Sequence, residues 1–186
     1  MRNMVFLCWL PLIFFMIHDF EEVIMAEVWY SRHGDRIRSI WKKKLPFGLD
    51  FVKNNVTASI AIGVGCEYLF IFLVCLLSFL FDNYWFWYGS LVGSVIHTLI
   101  LHLGGVIKLR RYFPGIVTSA VLFIPSLWVL YESQRILQYS LLSIVISTVV
   151  TTVVSGFFAF AVLHRAMTNW AEKLTRYAKP ELAENT

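Results

Sequence analysis

The chain has 186 residues, of which 58% are hydrophobic and 15% charged, with a mean hydropathy of +0.66 and a net charge of +4. Soluble domains carry about 25% charged and about 45–50% apolar residues, so this composition excludes a water-soluble enzyme or binding domain. The basic residues form short clusters beside apolar runs, a pattern that anchors a protein on anionic lipid and gives no nucleic-acid site.

The first apolar run predicts a span over 4–26. Inside it stands His18-Asp19-Phe20-Glu21-Glu22, four ionisable side chains in five positions. The run before this cluster holds only 14 residues, whereas about 20 are needed to cross a bilayer, so the span must take in the cluster and continue through Ala26. The competing reading is a short first helix with the cluster at its juxtamembrane end. A cleaved signal peptide is not expected, because the cluster occupies the place of a small-residue cleavage site.

A second span is predicted over 56–81 and contains Glu67; a third, over 84–107, contains His97 and His102. Basic residues Lys108, Arg110 and Arg111 then lead into Tyr112-Phe113-Pro114-Gly115, which opens a fourth span over 114–131. That turn and helix start read either as a tight interfacial turn or as a cradle for a phosphate or lipid headgroup. A fifth span, over 140–167, ends beside His164, read as an interfacial anchor. Gly89-x-x-x-Gly93, Ala61-x-x-x-Gly65 and the Ser143, Ser147, Thr151 series permit close helix approach. Cys8, Cys66 and Cys75 read as apolar filler at dissimilar depths, without a disulfide framework.

The fold class is therefore all-α: a single polytopic membrane domain over 1–186, a bundle of about five transmembrane helices, since unbroken apolar runs of this length exclude a barrel. Fourteen of the sixteen lysines and arginines fall on one side, among them Arg32, Arg36, Arg38, Lys42, Lys43, Lys44 and Lys53 of the first loop. By the positive-inside rule this puts the N-terminus outside and the C-terminus in the cytoplasm, in the inner (plasma) membrane. Trp41 and Trp170 fall at the inner interface, with Trp85 and Trp128 at the outer.

Depth follows from topology and helical rise. Glu22 lies roughly 6 Å and His18 roughly 12 Å from the inner boundary, His102 roughly 9 Å, and His97 and Glu67 roughly 16 Å. His18, Glu21 and Glu22 stand at i, i+3 and i+4 and share one helix face, with Asp19 about 100° away. His97 and His102 are five residues apart, about 140° around an α-helix, so only one of them should face the cluster.

Ionisable residues inside a span are costly, about 2.5–3.5 kcal/mol each on insertion scales, and mark functional sites. The H-x-x-E spacing with a further carboxylate matches the inverted zinc-protease pattern H-x-x-E-H, with Glu22 in place of the second histidine. In that geometry His18 and Glu22 are ligands of a divalent metal such as zinc and Glu21 is the general base that deprotonates a bound water, while His102, or else His97 or Glu67, supplies the remaining ligand from another helix. Asp19, Glu67, His97 and Tyr112 are expected around them.

Three sets of residues resemble the HXXEE-domain family of small bacterial membrane proteins. They are His18-Asp19-Phe20-Glu21-Glu22, the histidine at His102, and Tyr112-Phe113-Pro114-Gly115 for the family's Y-x-P-G. The resemblance covers roughly the first two-thirds of the chain and implies a His/Glu site without a defined reaction. A looser likeness joins Glu21-Glu22 to the glutamate-dependent CAAX-protease and bacteriocin-processing proteases. Ala26 stands where that motif has Arg, and no H-x-x-x-N follows either histidine.

The expected function is a metal-dependent hydrolase or transferase acting on a lipid-linked or membrane-embedded substrate. The alternatives are an ion or proton carrier using Glu67, His97 and the first-helix cluster, and a regulatory membrane subunit.

Overall fold

A computed structural model describes residues 3–40 and 56–178. Arg2, Trp41, Lys42, Lys43, Lys44, Lys53 and Lys179, which enter the charge and aromatic reading, lie outside the described residues. The described residues are all helical apart from short connections, in the order α1 (Met4–Ile40), α2 (Val56–Leu80), α3 (Trp85–His97), a π-helical turn (Thr98–Leu103), α4 (Gly104–Leu109), α5 (Ile116–Leu137), α6 (Leu141–Phe158), a second π-helical turn (Ala159–Leu163) and α7 (His164–Ala178). Among them, five helices are long and apolar enough to cross a membrane.

The helix α1 runs fourteen residues beyond the predicted end at 26. Hydropathy falls there, but helical periodicity does not: Ala26, Trp29, Gly34 and Ile37 are buried while Arg32, Asp35 and Arg36 are exposed. An amphipathic stripe thus continues the helix past the apolar run. The fifth span continues likewise, since α7 alternates Met167, Trp170 and Leu174 with Arg165, Lys173 and Arg176. The other predicted spans differ from the observed helices by a few residues at their ends.

The chain divides into two compact units. One comprises the described residues up to Glu21 together with Tyr68–Phe157. Its core joins Leu7, Cys8 and Leu12 of α1 to Val74 and Cys75 of α2, Trp87, Tyr88 and Leu91 of α3 and Val129 of α5. Fully burying such side chains contributes about 1.5–3 kcal/mol each in water; between lipid-bathed helices, close packing and internal hydrogen bonds carry more of the load. The Cys8 carbonyl lies one turn ahead of Pro11 and accepts from Trp87 Nε1 at 3.1 Å and from the Cys75 thiol at 3.3 Å. The Cys8 thiol in turn points at the Cys75 carbonyl, 3.8 Å away. The two cysteines read from the sequence as unrelated in depth are therefore partners, because α1 and α2 run in opposite directions and bring Cys8 and Cys75 to one level.

Close approach of α3 and α6 occurs where the small residues are. A Cβ on Gly89 would overlap Ser147, whose hydroxyl donates to the Trp85 carbonyl at 2.8 Å. The indole of Trp85 donates to Ser143 Oγ at 2.9 Å. The expectation for Ala61-x-x-x-Gly65 fares differently: a Cβ on Gly65 would meet nothing within 4 Å.

In the second unit, Glu22–Glu67 and the residues from Phe158 onward, Ala26 and Val56 pack with Tyr30 and Ile60. There the glycine that admits a neighbour is Gly63, where a Cβ would sit 2.8 Å from Met167 Sδ.

Candidate functional site

The turn between α4 and α5 is shaped by two left-handed residues. Arg110 ends α4 at φ 52°, and Gly115 opens α5 at φ 85°. Such a conformation suits glycine and costs most other residues about 1 kcal/mol or more. It lays Pro114 and Gly115 directly against two histidines: a Cβ on Gly115 would stand 2.6 Å from His102 Cε1 and 2.8 Å from His18 Cε1.

The helix that follows begins with backbone N–H groups that have no intrahelical acceptor. Glu21, on α1, supplies one. Its Oε2 accepts the Thr118 N–H at 2.7 Å and the Thr118 hydroxyl at 2.6 Å, and its Oε1 accepts the Val117 N–H at 3.3 Å and the Tyr112 hydroxyl at 2.6 Å. A carboxylate at a helix N-terminus also meets the positive end of the helix dipole. The N–H groups read from the sequence as a phosphate or headgroup cradle are thus taken by an internal anion. Four donors on its two oxygens tie Glu21 to Tyr112 and to the first turn of α5.

One turn earlier on α1, His18 turns its Nδ1 to Thr118 Oγ1 at 3.1 Å and its Nε2 to His102 Nε2, also at 3.1 Å. The rings meet edge to face with centroids 4.6 Å apart. His102 is 2% exposed, and its Nδ1 lies 2.9 Å from the Pro114 carbonyl. A carbonyl oxygen can only accept, so His102 carries a proton on Nδ1, and the neutral ring then presents a bare Nε2. Glu22 follows His18 by one turn of the same helix. One ligand atom from each of His18, Glu22 and His102 lies within 4.8 Å of the other two.

The structure also revises the relation of the two third-span histidines. His102 lies in the π-helical turn Thr98–Leu103, where hydrogen bonds run from i to i+5 and the winding is looser. The 140° expected of an α-helix therefore closes, and the ring centroids of His97 and His102 stand 6.0 Å apart. The His97 side chain is exposed.

The remaining candidates divide. Tyr112 joins the site through Glu21. Asp19 is buried on another face of α1, at 4% exposure. Glu67 is half-buried and falls in the second unit. The sequence reading missed Thr118, Ser119, whose Oγ lies 3.5 Å from His18 Nδ1, and the Pro114 carbonyl. Hydroxyl and carbonyl partners carry no spacing signature. Only the position of Thr118 in the first turn after Y-F-P-G could have drawn notice.

A comparison with family profiles matches residues 9–130 to proteins of unknown function with an HXXEE motif. No curated protein and no solved structure gives a match.

Proposed function

Because this chain belongs to the HXXEE family, a family without an assigned function, we propose its function from the site itself: a membrane-embedded metal centre in which His18, His102 and Glu22 hold one divalent cation. The observation that carries the proposal is the meeting of two imidazole Nε2 atoms at 3.1 Å, with a Glu22 carboxylate oxygen beside them. Two nitrogens bound to one tetrahedral zinc at about 2.0–2.1 Å stand roughly 3.3 Å apart, so a separation of 3.1 Å fits two ligands of one ion as well as it fits a direct N–H···N bond. Metal-binding histidines nearly always donate their other ring N–H to a carbonyl or carboxylate, as His102 does to Pro114.

Two histidines and one glutamate leave a fourth position, the arrangement of catalytic rather than structural zinc. A cation held by these three residues would supply Lewis acidity toward water, while Glu21 anchors the start of α5. The reading is a hydrolase or transferase acting on a lipid or another membrane-embedded substrate, supported by the site's position within apolar helices.

Metal analysis of detergent-purified protein tests it. The native chain should carry about one equivalent of zinc or a similar ion, and His18→Ala, His102→Ala and Glu22→Ala should each lose most of it. Equal metal content in all four proteins overturns the ligand set. Release of labelled products from a total membrane-lipid extract by the native chain, and not by Glu22→Ala, tests the reaction class.

A further inference from the structure

We propose that Thr118 is a positioning residue. Its hydroxyl links the Glu21 carboxylate to His18 Nδ1 and holds the His18 ring in the tautomer that turns a bare Nε2 toward His102. This rests on, and deepens, the metal reading above; it assigns a role to a residue outside the H-x-x-E-E signature and to the first glutamate within it.

The argument is a count of protons. The Thr118 hydroxyl has one hydrogen and three possible acceptors in range, Glu21 Oε2 at 2.6 Å, His18 Nδ1 at 3.1 Å and the Gly115 carbonyl at 3.2 Å. The shortest contact, to a charged oxygen, takes the hydrogen, because charge-assisted bonds are shorter and about twice as strong as neutral ones. Its lone pairs then face His18 Nδ1 at 3.1 Å, which must donate, so the His18 proton sits on Nδ1. The Thr118 backbone N–H reaches the same Oε2 at 2.7 Å and fixes the residue against rotation.

With Pro114 holding the proton of His102 on Nδ1 in the same way, both Nε2 atoms carry lone pairs, 3.1 Å apart. Two lone pairs so placed repel unless a positive charge lies between them. A hydroxyl that drew its hydrogen bond differently would let His18 carry Nε2–H and donate it to His102, giving a plain imidazole pair with no vacancy for an ion. The relay from Glu21 through Thr118 is thus what separates a ligand pair from a packing contact.

Thr118→Val keeps the shape and removes the hydroxyl; Thr118→Ser restores it. Each protein is purified with ¹⁵N-labelled histidine, and the His18 signals are assigned by their loss in His18→Gln. Long-range ¹⁵N–¹H correlation of the metal-free proteins then reports which ring nitrogen holds the proton. Competition with a chromophoric chelator measures zinc affinity. The native chain and Thr118→Ser should show His18 protonated on Nδ1 and bind zinc within about threefold of each other. Thr118→Val should shift the proton to Nε2 and bind about 10–100-fold more weakly, the usual effect of losing an outer partner of a metal ligand. Glu21→Gln, which keeps the shape of the anchor without its charge, should weaken binding in the same direction.

A native His18 protonated on Nε2, or a Thr118→Val protein unchanged in tautomer and affinity, overturns the role of Thr118. A native chain that binds no zinc yet shows the expected tautomers in all three proteins supports the relay and removes the metal reading alone.

Discussion

Gly115 is where one residue's backbone and two side chains meet. Its φ of 85° strains any L side chain, and a Cβ would also stand 2.7 Å from His102 Nδ1, inside the bond that ring makes to Pro114. Gly115→Ala should therefore destabilise the protein by about 1–3 kcal/mol, the range for a residue forced into a sparsely populated conformation. It should also weaken zinc binding at least tenfold by pushing His102 from His18. Thermal unfolding in detergent and the chelator competition read the two effects, and a variant that loses neither shows the turn to be slack. At this scale His18, Glu22 and His102 were legible, because a carboxylate or imidazole in an apolar run has few other reasons to be there. The partners of Glu21 were not. Its chemistry is that of a base, and only the geometry shows two N–H and two O–H donors converging on it.

The π-helical turns are features of elements, and sequence periodicity hides them. A π-turn is one residue inserted into an α-helix. The reading from sequence assumed 100° per residue between His97 and His102 and separated two rings that in fact stand side by side. The extra residue makes a sharp expectation. Deleting Ile100, which is 69% exposed within Thr98–Leu103, turns the π-turn into an α-turn and leaves the flanking helices in register. His97 and His102 then become i and i+4 neighbours, still on one face. Zinc affinity should stay within about tenfold of the native value. Deleting Ile107 from α4, which has no extra residue to give up, rotates all that follows by about 100° and carries the Pro114 carbonyl away from His102. Binding should then be lost, and equal loss in the two deletions would mean that the π-turn is not a neutral insertion. Helix ends show the same limit of hydropathy: α1 outlasts its apolar run because Trp29, Gly34 and Ile37 keep the helical period after the apolar run ends.

For the molecule as a whole, we propose from length and charge the direction in which it crosses the membrane. At 1.5 Å per residue the 37 residues of α1 extend roughly 55 Å, well beyond the roughly 30 Å of a bilayer's hydrocarbon. The fifth span, 38 residues long, exceeds it equally. Both overhangs are the basic ends of their helices, with Arg32 and Arg36 on α1 and Lys173 and Arg176 on α7. Lys108, Arg110 and Arg111 end the third span, and if the spans alternate, as we propose, these three clusters would share a side. Arg135, at the end of α5, is on the other. The positive-inside rule then directs the clusters to the cytoplasm and the α2–α3 turn outward. Single cysteines at Asn83, in that turn, and at Tyr177, 87% exposed on α7, separate the two orientations. A membrane-impermeant maleimide should label Asn83→Cys in intact cells and Tyr177→Cys only after permeabilisation. Native Cys8 and Cys75 should stay silent because both are fully buried, and half-buried Cys66 is replaced by Ser in both proteins. The reverse labelling pattern would invert the chain. The H-x-x-E-E site would then sit in the outer half of the bilayer, and any substrate would have to reach it from outside the cell.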